Sequence, residues 1–502
     1  MSRIVNPALA GFHADPSLLR VGEYFYIANS TFEWYPGVEL RRSKDLANWE
    51  ALPSPLREKR LLDMEGERAS CGVWAPCLSY SDGLFWLVYS NVRTWNAGPW
   101  KDCSNYLTTA PSIEGPWSDP VFLNCSGFDP SLFHDDDGRK WLVNMEWDYR
   151  RSVDPEGPQF TGILLQEYKA TEKRLSGPVR KIFTGSSIGC VEGPHLYKRN
   201  GWYYLLTAEG GTVYNHAATV ARSRSIEGPY VIHPHNPLIS SRDKPDLRLQ
   251  KAGHASWCET ARGRTYMAYL CGRPLAGTKN CVLGRETAIA ELVWHEDWPY
   301  VKGEDGGRQN YPADSFEAPL QNAGTASSLA PAREWLYSFD GTAIHGDFKT
   351  LRTPADPERY SLSERPGCLR LRGGQSPVSP YGQTLLARRQ TDFSFEAETC
   401  VDFTPHSFQE LAGLCWRYDE RNQYLLAVTH DESRGRTLTV LSMIAGGFSR
   451  EEGPTLPEEG PVWLGLSARE HSGVFRYSTD GKHFTDVGKV LDSRVLSDEF
   501  DS

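Results

Sequence analysis

Residues 192–207 read EGPHLYKRNGWYYLLT. A head of Glu192, Gly193 and Pro194 leads into a short run, His195 to Lys198. A polar turn, Arg199-Asn200-Gly201, is followed by the run Trp202 to Leu206. Two short apolar runs joined by a few residues containing Gly predict a β-hairpin. The same unit recurs at 15–30 (DPSLLRVGEYFYIANS), 75–90 (APCLSYSDGLFWLVYS), 129–145 (DPSLFHDDDGRKWLVNM) and 254–270 (HASWCETARGRTYMAYL). Its head prolines, Pro16, Pro76, Pro130 and Pro194, stand 60, 54 and 64 residues apart, and Ala255 follows Pro194 by 61. Five β units at a near-constant step are the mark of a repeat fold, and a blade of four strands takes about 40–50 residues. Each unit carries a sheet face it cannot bury alone, so radial stacking into a five-bladed β-propeller is the expected architecture. An open array of hairpins or a long sandwich is the plainer alternative.

The propeller accounts for residues 1–317. The segment 318–332, APLQNAGTASSLAPA, is small, proline-containing and aperiodic, as a linker is. From 333 to 502 the pattern changes to short alternating runs without proline heads, such as SFEAETCVDF at 394–403, YLLAVTH at 424–430 and VWLGLSA at 462–468. That spacing predicts a second all-β domain, a β-sandwich. The final residues, VLSDEFDS, do not read as a closing strand.

Composition narrows the partners. The 502 residues carry 54 Lys and Arg against 64 Asp and Glu, a net charge of −10, which argues against nucleic acid or an anionic membrane surface. No run approaches the length of a membrane-spanning helix, and the N-terminus, MSRIVNPALAGFHADPS, lacks the apolar stretch of a signal peptide. Eleven scattered cysteines without a CxxC pair fit neither a zinc site nor a disulfide framework, so reduced thiols and a cytoplasmic setting are expected.

The first strand of a propeller blade lines the central channel, so the heads converge at one end of it. A proline biases the residue before it towards an extended backbone, which is expected to set the direction of Asp15 and Asp129, with Glu192 one residue earlier in its own turn. Three carboxylates from three blades would share one pocket. Two could act as acid and base in glycosidic cleavage, with proximity and burial separating their pKa values, and the third could orient the acid and hold its pKa up. Each acid alone is more simply a turn former. Repetition for folding, however, does not require heads that vary among acid, Ala75 and His254. Other residues carry weaker signals. His13 reads as a hydrogen-bond partner, 134–138 (HDDDG) as a solvated turn rather than a calcium loop, Cys77 as a thiol without a placed base, and Arg285 as a surface residue or a fork for sugar hydroxyls.

The stretches GFHADPS (11–17), STFEWYPGVELRRSKDL (30–46), VWAPCLSY (73–80), KDCSNYLTTA (101–110), GFDPSLFHDDDG (127–138), EGPHLY (192–197), GHAS (253–256), LGRETA (283–288) and PHSFQELAGL (405–414) resemble glycoside hydrolase family 43, most closely its two-domain β-xylosidases. The resemblance implies a propeller followed by a sandwich and an inverting exo-hydrolase that releases D-xylose from β-1,4-xylo-oligosaccharides. It implies that Asp15 is the general base, Glu192 the general acid and Asp129 the residue that tunes and orients the acid. Inversion then asks for about 6.5–9.5 Å between the working carboxyls. It further implies that Arg285 holds hydroxyls of the terminal sugar, that Phe32, Trp74 and Trp147 wall the pocket, and that His254 is a channel histidine, beside a calcium ion in some relatives. No cofactor is required, and a homo-oligomer is compatible with the pattern. Three departures stand out: Cys77 replaces an expected acid, 275–282 (LAGTKNCV) is short, and the C-terminus stops early. An α-L-arabinofuranosidase, alone or as a second activity, is the nearest rival. An inactive sugar-binding propeller and an interaction scaffold are rivals of other classes.

Overall fold

The computed structural model describes residues 2–95, 98–153, 159–320 and 334–500. Apart from two short 3₁₀ turns, Tyr149–Val153 and Ser493–Val495, every regular element described is a β-strand. Five consecutive antiparallel sheets, blades one to five, are built in chain order from Ala14–Val21, Gly72–Ser81, Ser131–His134, Glu192–Arg199 and Gln250–Glu259 outward. All five blades hold their first four strands in meander order; blade four adds a short strand, Ile239–Ser240, back onto its third, and blade five adds Arg308–Gln309 to its fourth. The first strand of each blade packs on the first strand of the next, and that of blade five returns to blade one. This closed ring is the five-bladed propeller.

The hairpin inferred from residues 192–207 forms as expected. Its two-residue turn, Asn200-Gly201, has φ of 51° and 70°, the positive pair of a type I′ turn whose twist suits the flanking strands. The ring is stitched at its ends: Ser2–Val5 pairs antiparallel with Ser315–Ala318. The strand therefore reaches Ala318, the first residue of the expected linker. Positions 321–332 of that linker lie outside the described residues.

Serine hydroxyls two residues beyond the heads join neighbouring blades. Ser256 Oγ donates to Pro16 O at 2.8 Å and accepts from Leu18 N at 2.7 Å. Ser17 Oγ accepts from Leu78 N at 3.0 Å, and Ser131 Oγ donates to Pro194 O at 2.6 Å. In blades two and four the equivalent residues are Cys77 and His195, with Sγ and Nδ1 3.9 Å apart. Burial pushes the Cys77 thiol up to about 11 and the His195 imidazole down to about 3, so both are neutral. Cys77 thus occupies a packing position in the channel.

The chain folds into two compact units that interleave along the sequence: 1–272, 285–337 and 346–354, and then 273–284, 338–345 and 355–502. The single cut expected at 318–332 is not how the chain partitions, because the short segment 275–282 belongs with the second unit. There Leu275, Val282 and Leu283 cluster with Phe393. The second unit is a sandwich of two four-stranded antiparallel sheets. Inward residues of both, including Leu426, Val428, Leu438 and Val440 on one and Leu464, Leu466, Phe475 and Leu491 on the other, form one core. Val495 and Leu496 near the C-terminus are buried in it.

Candidate active site

The heads share one backbone device. Asp15, Ala75, Asp129, Gly193 and His254 have φ of 51°, 30°, 55°, 55° and 38°. The first strands of blades one, two, four and five slip register there, at Ala14/Ser17, Trp74/Cys77, Glu192/His195 and Gly253/Ala255. The expectation of an extended residue before each head proline fails: the bulge overrides the proline bias and places a left-handed residue there. A bulge re-aims a side chain, and non-glycine residues with positive φ concentrate at functional sites. The variation among heads now reads as position. Asp15 and Asp129 occupy the left-handed place itself, whereas Glu192 precedes it and a glycine fills it.

Asp15 is buried, and Ser30 Oγ donates to its Oδ2 at 2.6 Å while accepting from Ala75 N at 2.7 Å. Asp15 Oδ1 lies 3.9 Å from His254 Nδ1. Asp129 Oδ2 accepts from the Gly193 N–H at 3.0 Å, so the residue after Glu192 is tied to the third acid. A Cβ at Gly193 would stand 3.0 Å from His254 Cε1 and 3.2 Å from Ala208 Cβ, which fixes glycine at this left-handed position.

Electrostatics distinguish the acids. Burial, then the charges of Glu192 and Asp15, raise the Asp129 carboxyl well above its ordinary range, against the Gly193 N–H and Lys101. Burial raises Glu192 to about 7, with Asp15 adding to the rise and Lys101 and Arg285 opposing it. Asp129 and Glu192 therefore titrate as a pair that holds a proton near neutrality. The channel imidazoles of His195 and His216 are driven down to about 3 by burial, and His254 is also lowered, chiefly by burial.

Rings wall the same region. Phe12 and Phe32 meet edge-on at 5.3 Å and Trp74 and Phe128 at 5.4 Å, while Phe32 and Trp74 at 5.8 Å and Phe128 and Trp147 at 6.3 Å are tilted. The Arg285 guanidinium lies 5.2 Å from the Phe32 ring centroid. Its carbonyl accepts from the His13 N–H at 2.7 Å, which makes His13 a backbone anchor for the arginine loop. The structure thus brings Asp15, Asp129, Glu192, Arg285 and His254 into one electrostatic cluster and links Phe32, Trp74 and Trp147 in one aromatic row. Ser30, Phe128 and Lys101 carry no individual signal in the sequence, and Gly193 stands there only as part of a hairpin head. In the 134–138 turn residues 136–138 are exposed as expected but Asp135 is buried, and Lys198 bridges it, its Nζ 2.7 Å from Asp135 Oδ1 and 2.9 Å from Asp136 Oδ2.

Calcium takes six to eight oxygen ligands. His254 offers nitrogen, and the described residues contain no group of three or more His, Cys, Asp or Glu placed to hold a metal. The donor set does not fit a protein-built calcium site.

Residues 4–299 match the family Glycosyl hydrolases family 43. The chain belongs to that family. Residues 337–502 match the Beta xylosidase C-terminal Concanavalin A-like domain. The family 43 chain is 48% identical over 507 residues to Xylosidase/arabinosidase 43B of Humicola insolens, covering 99% of this chain and 91% of that protein. It is 44% identical over 509 residues to the Beta-xylosidase of Bacillus subtilis (strain 168), covering 99% and 93%. Among solved structures, xylan beta-1,4-xylosidase from Bacillus halodurans C-125 superposes with a TM-score of 0.92 at 48% identity, covering 99% of this chain and 93% of that one.

Proposed function

We propose that the chain is an exo-acting, inverting β-xylosidase that removes terminal D-xylose from β-1,4-xylo-oligosaccharides. The observation that carries this reading is the cluster of three buried head carboxyls in which Glu192 is raised to about 7 while Ser30 orients Asp15. Glu192, holding its proton, donates it to the glycosidic oxygen as the bond from the anomeric carbon breaks. Asp15 takes a proton from the water that attacks that carbon from the opposite face. The new C–O bond has inverted configuration, so a β-xyloside yields α-xylose. Asp129, bound to the Gly193 N–H, orients the backbone of the acid, and the charge that adds to burial in favouring the protonated form of Glu192 is that of Asp15.

Arg285 beside Phe32 is suited to hold hydroxyls of the terminal sugar, and Trp74 and Trp147 to cover its apolar faces. His254, kept neutral by burial, offers a ring N–H or a lone pair to a hydroxyl. No cofactor takes part in this scheme. The eleven cysteines are all free thiols, which supports a reducing compartment.

α-L-Arabinofuranoside hydrolysis is the second reading, favoured by the 48% identity to a protein named Xylosidase/arabinosidase. Initial rates on xylobiose and on matched aryl β-xyloside and α-arabinofuranoside, with NMR of the first-formed anomer, test both. Release of α-xylose from xylobiose is expected. Arabinoside cleavage with xylobiose untouched moves the assignment to arabinofuranosidase, and β-xylose as first product overturns inversion.

A further inference from the structure

Lys101 stands between the aromatic row and the acids. Its Nζ lies 3.9 Å from the ring centroids of Trp95 and Trp147, 4.3 Å from Phe128, 5.1 Å from Trp74 and 5.9 Å from Phe160. The atom is buried and has no hydrogen-bond partner among the described residues. An ammonium removed from water and given no acceptor is costly. Ring faces offset part of that cost, and nearby carboxylates offset more.

The charges facing Lys101 are Glu192, then the thiols and carboxylate of Cys103, Asp129 and Cys71. The Cys103 and Cys71 thiols are held neutral by burial, at about 12 each. Of the two carboxyls that remain, Asp129 is raised well above its ordinary range, so Glu192 is the principal counter-charge. Seen from Glu192, the facing groups are Lys101, Asp15 and Arg285, and Lys101 is the first to oppose burial.

We propose that Lys101 is a positioning residue of the acid site: its caged ammonium ties Trp74, Phe128 and Trp147 into one wall and supplies the positive field that lets Glu192 give up its proton. The inference rests on the reading of Glu192 as general acid. It gives the cage a chemical purpose, because a lysine bound to a carboxylate would be a fixed ion pair, whereas one held by rings acts through space and leaves the carboxyl free for the glycosidic oxygen. Burial brings Lys101 itself down to about 8, which stands above the value of about 7 for Glu192, so the lysine is mainly in its ammonium form where Glu192 is half-titrated.

The test compares Lys101→Met, Lys101→Gln and Lys101→Arg in the full chain, by pH profiles of kcat/KM on xylobiose and by melting curves. Loss of the charge in folded K101M is expected to move the alkaline limb upward by about one pH unit, as removal of an opposite charge nearby does. Turnover at neutral pH should fall, and K101R should keep the limb near its original place. K101Q carries the same test if K101M does not melt cooperatively. An alkaline limb unmoved in the neutral variants overturns the role of Lys101 alone. Absence of β-xyloside turnover in the parent chain overturns the reading of Glu192, and this role with it.

Discussion

Ser30 Oγ sits between Asp15 and blade two, donating to Asp15 Oδ2 at 2.6 Å and accepting the Ala75 N–H at 2.7 Å. One hydroxyl thus locks the carboxyl proposed as the general base to the backbone of the neighbouring blade. Hydrogen bonds to charged groups contribute about 1.5–3 kcal/mol. Ser30→Ala is expected to lower kcat on xylobiose roughly ten- to a hundredfold, about 1.4 kcal/mol per decade, with a smaller change in KM. An unchanged kcat would show that Asp15 needs no such anchor.

Glu192→Gln keeps the shape of the acid and removes its proton. Turnover of xylobiose should drop by about 10²–10⁴, while an aryl xyloside with a strongly acidic leaving group, which needs no protonation, should lose far less. Equal losses on both substrates would reject Glu192 as the proton donor. In the parent enzyme, with Glu192 raised to about 7, kcat/KM should fall as pH rises through that value, because the protonated form is the active one.

Gly193 carries φ of 55°, and its missing side chain makes room for His254. Gly193→Ala should push against that ring and disturb the N–H that binds Asp129, so kcat should fall at least tenfold, about 1.4 kcal/mol. A crystal structure showing His254 displaced would locate the cause. Full activity in G193A would mean the channel can give way there.

Glu67 is buried and is raised from 4.5 to about 8, chiefly by burial and against Asn91, Arg93 and Arg352. Its folded-state pKa stands above the unfolded one. The neutral carboxyl's contribution is therefore intact below about 4.5 and is lost as pH rises through about 8. Glu67→Gln should raise Tm at pH 9 relative to the parent by an amount reflecting a few kcal/mol, with little difference at pH 5. Parallel melting curves at both pH values would reject this.

Much of this was legible because the head prolines mark the blade period. Pro16, Pro76, Pro130 and Pro194 reveal the repeat, and the acids beside three of them reveal the pocket. The backbone at those prolines was not legible. A local rule makes Asp15 extended, whereas bulge formation in a closed ring gives it φ of 51°. Lys101 escaped notice for a different reason. Trp74, Trp95, Phe128, Trp147 and Phe160 spread over 87 residues of sequence, and only blade packing gathers them around one Nζ. Cys77 read as a departure from an expected acid, and the ring of Ser17, Ser131, His195 and Ser256 shows it filling a packing place. The interleaved units were hidden because Arg273–Gly284 interrupts blade five without any shift in composition.

The seam between Ser2–Val5 and Ser315–Ala318 has a consequence for how the protein is made. Each hairpin closes a short loop and can form soon after it leaves the ribosome, whereas Ile4 must wait for Phe316, its partner across the seam. Until then the first-made strand has no partner on that edge, and exposed strand edges invite pairing with other chains. Newly synthesised chains should therefore pass through a late period of chaperone dependence that ends in one step when the seam zips, and growth temperature should limit soluble yield more strongly than it limits the stability of the finished enzyme.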